Sequence, residues 1–279
     1  MTMNGLYRLF LLVTIFMFQE CAPIHFMNTG TIRIKGSDTM RILTERWAEE
    51  YMKVQPNVAV YAEGGETGHG IQALIDGSAD ICAASRPLRA NEIHLLAQRY
   101  KKLGILFLVA KDALSVYVNP RNNVKDLSSE QLKGIFTGEI SNWKEVGGND
   151  ADIRVIVRSP NSGTYLYFKE HILDGLDYTD AAIASPTTNE VVQRVEYDPH
   201  AIGYGGIAYG PDITHCRIDG VLPIEANVRN DTYPIIRYLY LYTIDTPQGV
   251  IKDFIDWVLN DGQDVVKKVG YIPLWNDGD

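Results

Sequence analysis

Short apolar runs rich in β-branched residues alternate along this chain with segments in which apolar residues recur every three or four positions. The first run, residues 31–35, predicts a strand with Ile32 and Ile34 on one face. The next segment predicts a helix that ends before Pro56, with an apolar face formed by Met40, Leu43, Trp47, Tyr51 and Val54. Repetition of this alternation is typical of an α/β chain built from β-α-β units.

The rest of the chain continues the alternation and adds two longer runs. Further strands are predicted over residues 58–62, 80–84, 153–157 and 201–204, and further helices over residues 71–75, 93–100, 164–173 and 250–259. The longer runs, residues 105–118 and 233–243, are strongly β-prone.

The two long runs predict a lobe that is interrupted by a second lobe, with two extended strands crossing between them. The first lobe is predicted to comprise residues 31–113 and a return segment, 241–279, and the second lobe residues 114–240. Each lobe is expected to be a mixed sheet flanked by helices. The alternative is one continuous α/β domain.

The first 20 residues predict a signal peptide, because Arg8 precedes an uncharged apolar run that is too short to span a bilayer. Cys21 follows directly and is a candidate lipidation site. Glu20 fits that site poorly, since small residues are expected before the cysteine, and a simple cleaved signal or an uncleaved anchor are the alternatives. The protein is expected to be periplasmic or otherwise extracytoplasmic, with membrane anchoring through Cys21 left open.

Composition and charge limit the classes of function. The chain has 279 residues, 46% of them hydrophobic, and a formal net charge of −9, which argues against nucleic-acid binding because that requires a basic face. An anion is not excluded as a ligand, since backbone N–H groups and helix N-termini bind anions locally. Cys82 and Cys216 are expected to be buried free thiols. The histidines show no ligand spacing, so neither a metal nor another cofactor is predicted.

Three loops place glycine and hydroxyl residues where a predicted strand is followed by a helix. They are residues 36–39 (Gly-Ser-Asp-Thr), 66–70 (Glu-Thr-Gly-His-Gly) and 162–164 (Ser-Gly-Thr). A helix start offers unpaired N–H donors and the positive end of the helix dipole, and hydroxyls add further donors. Each loop alone is explained more simply by an ordinary N-cap. Together they indicate a site for a tetrahedral oxyanion, provided that they converge on one cleft.

Two arginines follow strand ends near these loops. Arg158 ends the strand before Ser162, and Arg86 follows Ser85. A guanidinium presents a forked, permanently charged donor pair that suits an oxyanion. Both arginines are therefore candidate ligand contacts. The alternative for each is a solvated arginine or one that forms a salt bridge between the lobes.

These segments resemble the phosphate-binding proteins of high-affinity phosphate ABC transporters over nearly the whole chain after residue 30. The resemblance lies in residues 35–40 (Lys-Gly-Ser-Asp-Thr-Met), 64–71 (Gly-Gly-Glu-Thr-Gly-His-Gly-Ile), 83–88 (Ala-Ala-Ser-Arg-Pro-Leu), 158–164 (Arg-Ser-Pro-Asn-Ser-Gly-Thr), 201–204 (Ala-Ile-Gly-Tyr) and 233–235 (Tyr-Pro-Ile). It implies a type II periplasmic-binding-protein fold whose lobes close over inorganic phosphate. It also implies a monomer that delivers phosphate to a membrane ABC permease.

The resemblance assigns ligand contacts by position. They fall on Asp38, Thr39, Thr67, Ser85, Arg158, Ser162, Gly163 and Thr164, with Ser37 as a neighbour that can add its hydroxyl. The chain departs from the family where Thr67 replaces a serine and where Glu66 and His69 replace smaller residues. Some members have an aspartate at the position of Ser85, so here the acceptor for a ligand proton falls to Asp38, with Glu66 in reserve. The alternative role of Asp38 is N-capping.

Other functions have weaker signals in the sequence. An exported serine hydrolase with Ser162 as nucleophile would lack both a Gly-x-Ser-x-Gly motif and an assignable histidine partner. A phosphate-cradling NTPase is disfavoured because no glycine loop ends in Gly-Lys-Ser or Gly-Lys-Thr. The second candidate is a sensor or interaction protein of the same fold that binds another oxyanion or has lost its ligand. We predict a phosphate-binding protein without catalytic residues.

Overall fold

The computed structural model describes residues 29–275, in which strands and helices alternate. The strands are β1 (Gly30–Gly36), β2 (Val58–Glu63), β3 (Ile81–Ala84), β4 (Ile105–Val118), β5 (Asp126–Leu127), β6 (Arg154–Arg158), β7 (Ile183–Ser185), β8 (Ala201–Gly206), β9 (Thr214–His215), β10 (Arg217–Ile218) and β11 (Ile236–Thr243). The α-helices are α1 (Arg41–Val54), α2 (Thr67–Asp76), α3 (Ala90–Tyr100), α4 (Ser129–Thr137), α5 (Gly163–His171), α6 (Thr188–Tyr197), α7 (Glu225–Arg229), α8 (Gly249–Leu259) and α9 (Gly262–Val269). Short 3-10 helices span Asp38–Met40 and Trp143–Val146.

One long strand, β4, connects two parts of a continuous sheet. The strands lie in the spatial order β2-β1-β3-β11-β4-β8-β6-β7, and β9 also pairs with β4. β4 pairs antiparallel with β11 over residues 105–113 and with β8 over residues 114–118. We call the half that contains β1, β2, β3 and β11 the first lobe, and the half that contains β6, β7 and β8 the second lobe.

Each lobe has its own hydrophobic core. In the first lobe, helices α1, α8 and α9 pack on the sheet through residues such as Trp47 and Phe254, both fully buried. In the second lobe the rings of Phe168 and Tyr204 stack with their centroids 4.2 Å apart. Burial of one such large apolar side chain stabilises a fold by about 1.5–3 kcal/mol. The two cores and the shared strand confirm the predicted two-lobed α/β fold.

The predicted elements coincide with observed ones, with two kinds of difference. The second β-prone run becomes a strand only at Ile236, because Pro234 has no N–H to donate to a sheet ladder. The apolar pattern also does not predict α4, α6, α7 or α9, nor the short strands β5, β7, β9 and β10. The lobe boundaries at residues 113/114 and 240/241 stay predictions.

Both cysteines in the described range are buried free thiols, as expected from their apolar surroundings. Burial raises the pKa of the Cys216 thiol to about 12, which keeps it protonated and unreactive. Cys21 and the predicted signal peptide lie outside the described residues. Between residues 29 and 275 no helix is long and apolar enough to cross a bilayer, and no acidic, histidine or cysteine cluster could hold a metal ion.

Candidate functional site

The predicted ligand contacts lie at or just after the carboxyl ends of parallel strands. β1, β2 and β3 are parallel in the first lobe, and β6, β7 and β8 are parallel in the second. Ligands of open α/β sheets bind beyond these ends, at the loops that connect each strand to the following helix. The loops of the two lobes contact each other directly across the cleft.

Three hydroxyls of the first lobe form a buried cluster. Ser37 donates to Ser85 at 3.0 Å, and the Ser85 hydroxyl oxygen lies 3.3 Å from that of Thr67. Gly36 makes this approach possible, because a Cβ there would lie 2.0 Å from the carbonyl oxygen of Ala83 and its φ is +147°. Loops from β1, β2 and β3 thus bring three donors to one point.

The N-terminus of α5 brings the second lobe onto this cluster. Ser162 caps the helix, since its hydroxyl accepts a hydrogen bond from the backbone N–H of Thr164 at 3.2 Å. A Cβ on Gly163 would lie only 2.4 Å from the hydroxyl oxygen of Thr67 and 2.6 Å from that of Ser85. The absence of a side chain at residue 163 therefore lets the two lobes close against each other.

The loop that contains Asp38 and Thr39 is held from several directions. The Thr39 hydroxyl oxygen lies 2.8 Å from that of Thr164 in the other lobe. The Tyr209 hydroxyl donates to the backbone carbonyl of Asp38 at 2.6 Å, and the Tyr271 hydroxyl donates to that of Thr39 at 2.5 Å. Burial raises the pKa of both phenols, so both stay protonated donors.

The Asp38 carboxylate crosses to the second lobe instead of capping its own helix. It accepts a hydrogen bond from the backbone N–H of Thr188, the first residue of α6, at 2.7 Å. The same oxygen lies 3.4 Å from a terminal nitrogen of Arg158. Ser37 occupies the N-cap position of the 3-10 helix, and no side-chain bond caps it. Asp38 therefore links the lobes, which the N-cap alternative did not predict.

Arg158 is almost fully buried, with 1% of its side chain exposed. Its terminal nitrogens donate to the Thr188 hydroxyl and to the carbonyl of Pro186, both at 2.8 Å. Burial lowers the pKa of its guanidinium, and the Asp38 carboxylate opposes that shift. Two buried atoms here, Arg158 Nε and the Ser185 hydroxyl, have no hydrogen-bond partner among residues 29–275. Both retain the capacity to bind a further polar group.

A second buried arginine, Arg237, joins the site and was not predicted. It is 3% exposed, and its Nε donates to Asp112 at 2.9 Å while Nη1 donates to the Thr164 hydroxyl at 3.0 Å. Burial raises the pKa of the Asp112 carboxyl, and Arg237 opposes the shift. One signal could have shown this residue, since it is the single charged position in the β-prone run 233–243.

The Arg86 guanidinium makes its contacts elsewhere. Its two terminal nitrogens donate to the Glu92 carboxylate at 2.8 and 2.7 Å, and one also donates to the carbonyl of Pro87. This pair joins the end of β3 to α3 within the first lobe. The structure therefore brings together the other predicted site residues and leaves the Arg86 guanidinium occupied by Glu92.

Two further contacts link the lobes at the edge of the cleft. The Ser159 hydroxyl donates to the Glu66 carboxylate, whose other oxygen lies 3.4 Å from His69 Nδ1. Arg89 pairs with Glu170 at 3.0 Å. Two of the departures from the family pattern, Glu66 and His69, therefore lie at the edge of the cleft.

The chemistry of the site suits binding of an anion. Donors come from hydroxyls, from two buried arginines, and from the N-termini of α2, α5 and α6. The Ser162 hydroxyl accepts bonds from two backbone N–H groups, and none of its hydrogen bonds within the described residues involves a histidine. The geometry therefore gives Ser162 no general base and does not support its role as a nucleophile.

Comparison with known proteins agrees with this fold and site. A family model described as "PBP superfamily domain" matches residues 27–262. The phosphate-binding protein PstS of Bacillus subtilis is 33% identical over 250 residues, covering 88% of this chain and 81% of that protein. PstS of Pseudomonas aeruginosa is 32% identical over 270 residues, covering 88% of this chain and 84% of that protein.

Solved structures show the same similarity in three dimensions. A Clostridium perfringens protein crystallised with bound phosphate matches with a TM-score of 0.81 at 31% identity, over 88% of this chain and all of that one. An ABC-type phosphate transport receptor from Vibrio cholerae matches with a TM-score of 0.71 at 29% identity, over 86% of this chain and 99% of that one. The chain therefore belongs to the PBP superfamily and, within it, to the family of the phosphate-binding proteins PstS.

Proposed function

We propose that this chain binds inorganic phosphate between its lobes and delivers it to a membrane ABC permease. The observation that carries the proposal is the contact of Gly163, at the N-terminus of α5, with the hydroxyls of Thr67 and Ser85 from the other lobe. Helix N-termini and hydroxyl donors from both lobes can replace the hydration shell of a small tetrahedral anion. The proposed contacts are Ser37, Asp38, Thr39, Thr67, Ser85, Arg158, Ser162, Gly163 and Thr164.

The relatives support this assignment, since they are named as phosphate-binding proteins and one was crystallised with phosphate. The family consists of binding proteins, which agrees with the prediction that the chain is not an enzyme. We infer an extracytoplasmic location and a monomer. The proposed anchor, Cys21, lies outside the described residues.

Two assignments follow from the same proposal. We propose that Arg86 supports the loop at Ser85 through its pair with Glu92 and contributes less to the ligand than Arg158. We also propose that the first lobe ends near residue 113, because β4 changes its partner from β11 to β8 between Ala113 and Leu114.

Calorimetry with inorganic phosphate tests the function. We expect saturable binding of one phosphate per chain, together with a smaller radius of gyration in small-angle scattering as the lobes close. Protein that binds no phosphate in either measurement would contradict the proposal. It would favour a sensor of another oxyanion, which titrations with sulfate and arsenate would then identify.

A pair of matched variants locates the site. Thr67→Val removes a hydroxyl from the cluster and should weaken phosphate binding about two- to tenfold, because a neutral hydrogen bond contributes about 0.5–1.5 kcal/mol. Thr44→Val is the control: Thr44 is also buried, but its hydroxyl donates to the backbone carbonyls of Met40 and Arg41 at the start of α1. Equal losses in the two variants would argue against the assigned site.

A further inference from the structure

A buried ion pair lies between the two crossing strands. Arg237 in β11 and Asp112 in β4 are direct neighbours in the antiparallel register. Both residues are buried, with 3% of Arg237 and 0% of Asp112 exposed. Arg237 Nε donates to Asp112 Oδ2 at 2.9 Å. The second carboxylate oxygen accepts from the backbone N–H of Ile207, which follows β8. Burying two charges inside apolar strands carries a desolvation cost that a purely structural contact of apolar side chains would avoid.

The part of Arg237 that Asp112 does not hold points to the second lobe. Its Nη1 donates to the hydroxyl of Thr164 in α5 at 3.0 Å. The neighbouring helical turn contacts the same strand, because the Tyr167 hydroxyl donates to the carbonyl of Ile236 at 2.7 Å. The Arg237 guanidinium also lies 5.8 Å from the centre of the Tyr167 ring. The start of α5 therefore contacts β11 through the side chains of Thr164 and Tyr167.

The chemistry of a guanidinium fixes the direction of one hydrogen bond at Thr164. A guanidinium has only donors, so the Thr164 oxygen must accept from Arg237. The single proton of that hydroxyl is then directed away from Arg237, and in this structure Thr39 lies there, with 2.8 Å between the oxygens. A bound oxyanion would accept the same proton. Arg237 therefore occupies one lone pair of Thr164 and leaves its proton available to donate to an unprotonated ligand oxygen.

We propose that Arg237 is a positioning residue: anchored by Asp112, it holds the Thr164 hydroxyl as a donor toward the bound oxyanion. This inference rests on the proposed function, because it concerns the strength of phosphate binding. It assigns the charge of Arg237 to the orientation of a ligand contact and not to direct contact with the ligand.

A double-mutant cycle in calorimetry with inorganic phosphate tests this role. Arg237→Lys keeps a charge beside Asp112, but a single ammonium replaces the fork that holds both partners. We expect phosphate affinity to fall about tenfold, as for loss of a charged donor bond. In a Thr164→Val background the same substitution should change affinity by less than about twofold, because the hydroxyl through which Arg237 acts is absent.

Two further variants serve as controls for the cycle. In a Thr164→Ser background the hydroxyl remains, so Arg237→Lys should again cost about tenfold. Arg33→Lys alters another arginine–aspartate pair of the first lobe, formed by Arg33 in β1 with Asp80 directly before β3, and should leave phosphate affinity unchanged. If Arg237→Lys does not fold, Arg237→Gln combined with Asp112→Asn replaces the pair by neutral amides and takes its place in the cycle.

The outcomes separate this inference from the proposed function. Equal losses on a threonine and on a valine background would show that Arg237 acts through general stability, and would overturn the inference while phosphate binding stands. A wild-type protein that binds no phosphate would overturn the proposed function itself. Loss of the Arg237 effect only where the Thr164 hydroxyl is absent would support both.

Discussion

Substitution of Gly163 by alanine should block closure of the lobes without harming either lobe. The added Cβ would lie 2.4 Å from the Thr67 hydroxyl oxygen and 2.6 Å from that of Ser85, whereas ordinary contacts begin near 3.4 Å. Neither hydroxyl can simply withdraw, because both are buried and lie 3.3 Å from each other. The second lobe must therefore retreat by roughly 1 Å, which is enough to break the contact between Thr39 and Thr164.

The size of the effect follows from overpacking. Inserting a methyl group into a tight buried contact costs about 1–3 kcal/mol, which corresponds to a loss of affinity between about fivefold and about 150-fold. Gly163 begins α5 and its φ is not positive, so alanine adds no backbone strain and suits a helix. The unliganded protein should therefore keep or slightly raise its thermal stability.

Calorimetry with phosphate and thermal unfolding of ligand-free protein measure the two effects separately. Gly68→Ala is the matched control, because a Cβ at Gly68 in α2 would lie 3.5 Å from the carbonyl of Asn161, an ordinary contact between the lobes. We expect it to bind phosphate as the wild type does. Wild-type affinity in Gly163→Ala would refute the reasoning, since the closed contact could not then be part of the liganded state.

Three further predictions concern charged and titratable groups. Arg158→Ala should weaken phosphate binding about tenfold or more, because a charged donor bond contributes about 1.5–3 kcal/mol, and Arg86→Ala should cost less because its guanidinium binds Glu92; equal losses in calorimetry would contradict this order. Asp38→Asn should lower phosphate affinity and raise sulfate affinity, since an amide can donate to an anion that carries no proton; competition titrations that leave the preference unchanged would make Asp38 purely structural. Burial lowers the pKa of His215 below its ordinary 6.5, so the unfolded chain binds more protons and the free energy of unfolding should fall as the pH drops below 6.5. Urea unfolding should show a contribution from this histidine of at most about 1.4 kcal/mol per pH unit, and His215→Gln should remove that contribution.

Local patterns were sufficient to predict most of the fold. The apolar face of α1 repeats at helical spacing because that helix buries one side against the sheet, whatever its partners are. Helix α6 has no such clear signal, since Val191, Val192 and Val195 are β-branched and packing decides their conformation. The spacing of Thr187 and Glu190 at its start is a capping-box pattern that could have indicated it.

The site residues also fall into those that local sequence predicts and those that depend on distant contacts. The hydroxyl loops could be predicted because a glycine or serine at a helix start interacts with the backbone of the same helix, which neighbouring positions in the sequence reveal. Arg237 could not be assigned to the site from the sequence, because its partner Asp112 is 125 positions away. A lone charge in an apolar strand indicates that a partner is needed but not which residue it is. Arg86 was expected at the ligand from its place beside Ser85, but Glu92, six positions later, binds its guanidinium.

The loop at Thr39 depends on a residue near the other end of the chain. Tyr271 donates to the Thr39 carbonyl across 232 positions, and the adjacent Ile272 exchanges two backbone hydrogen bonds with Lys111 in β4. The residues of this loop are synthesised early. The hydrogen bond from Tyr271 to Thr39 can form only after residue 271 has been synthesised. A chain that stops before residue 271 lacks this anchor, so we expect its Thr39 loop to be held less firmly and its phosphate binding to be weaker.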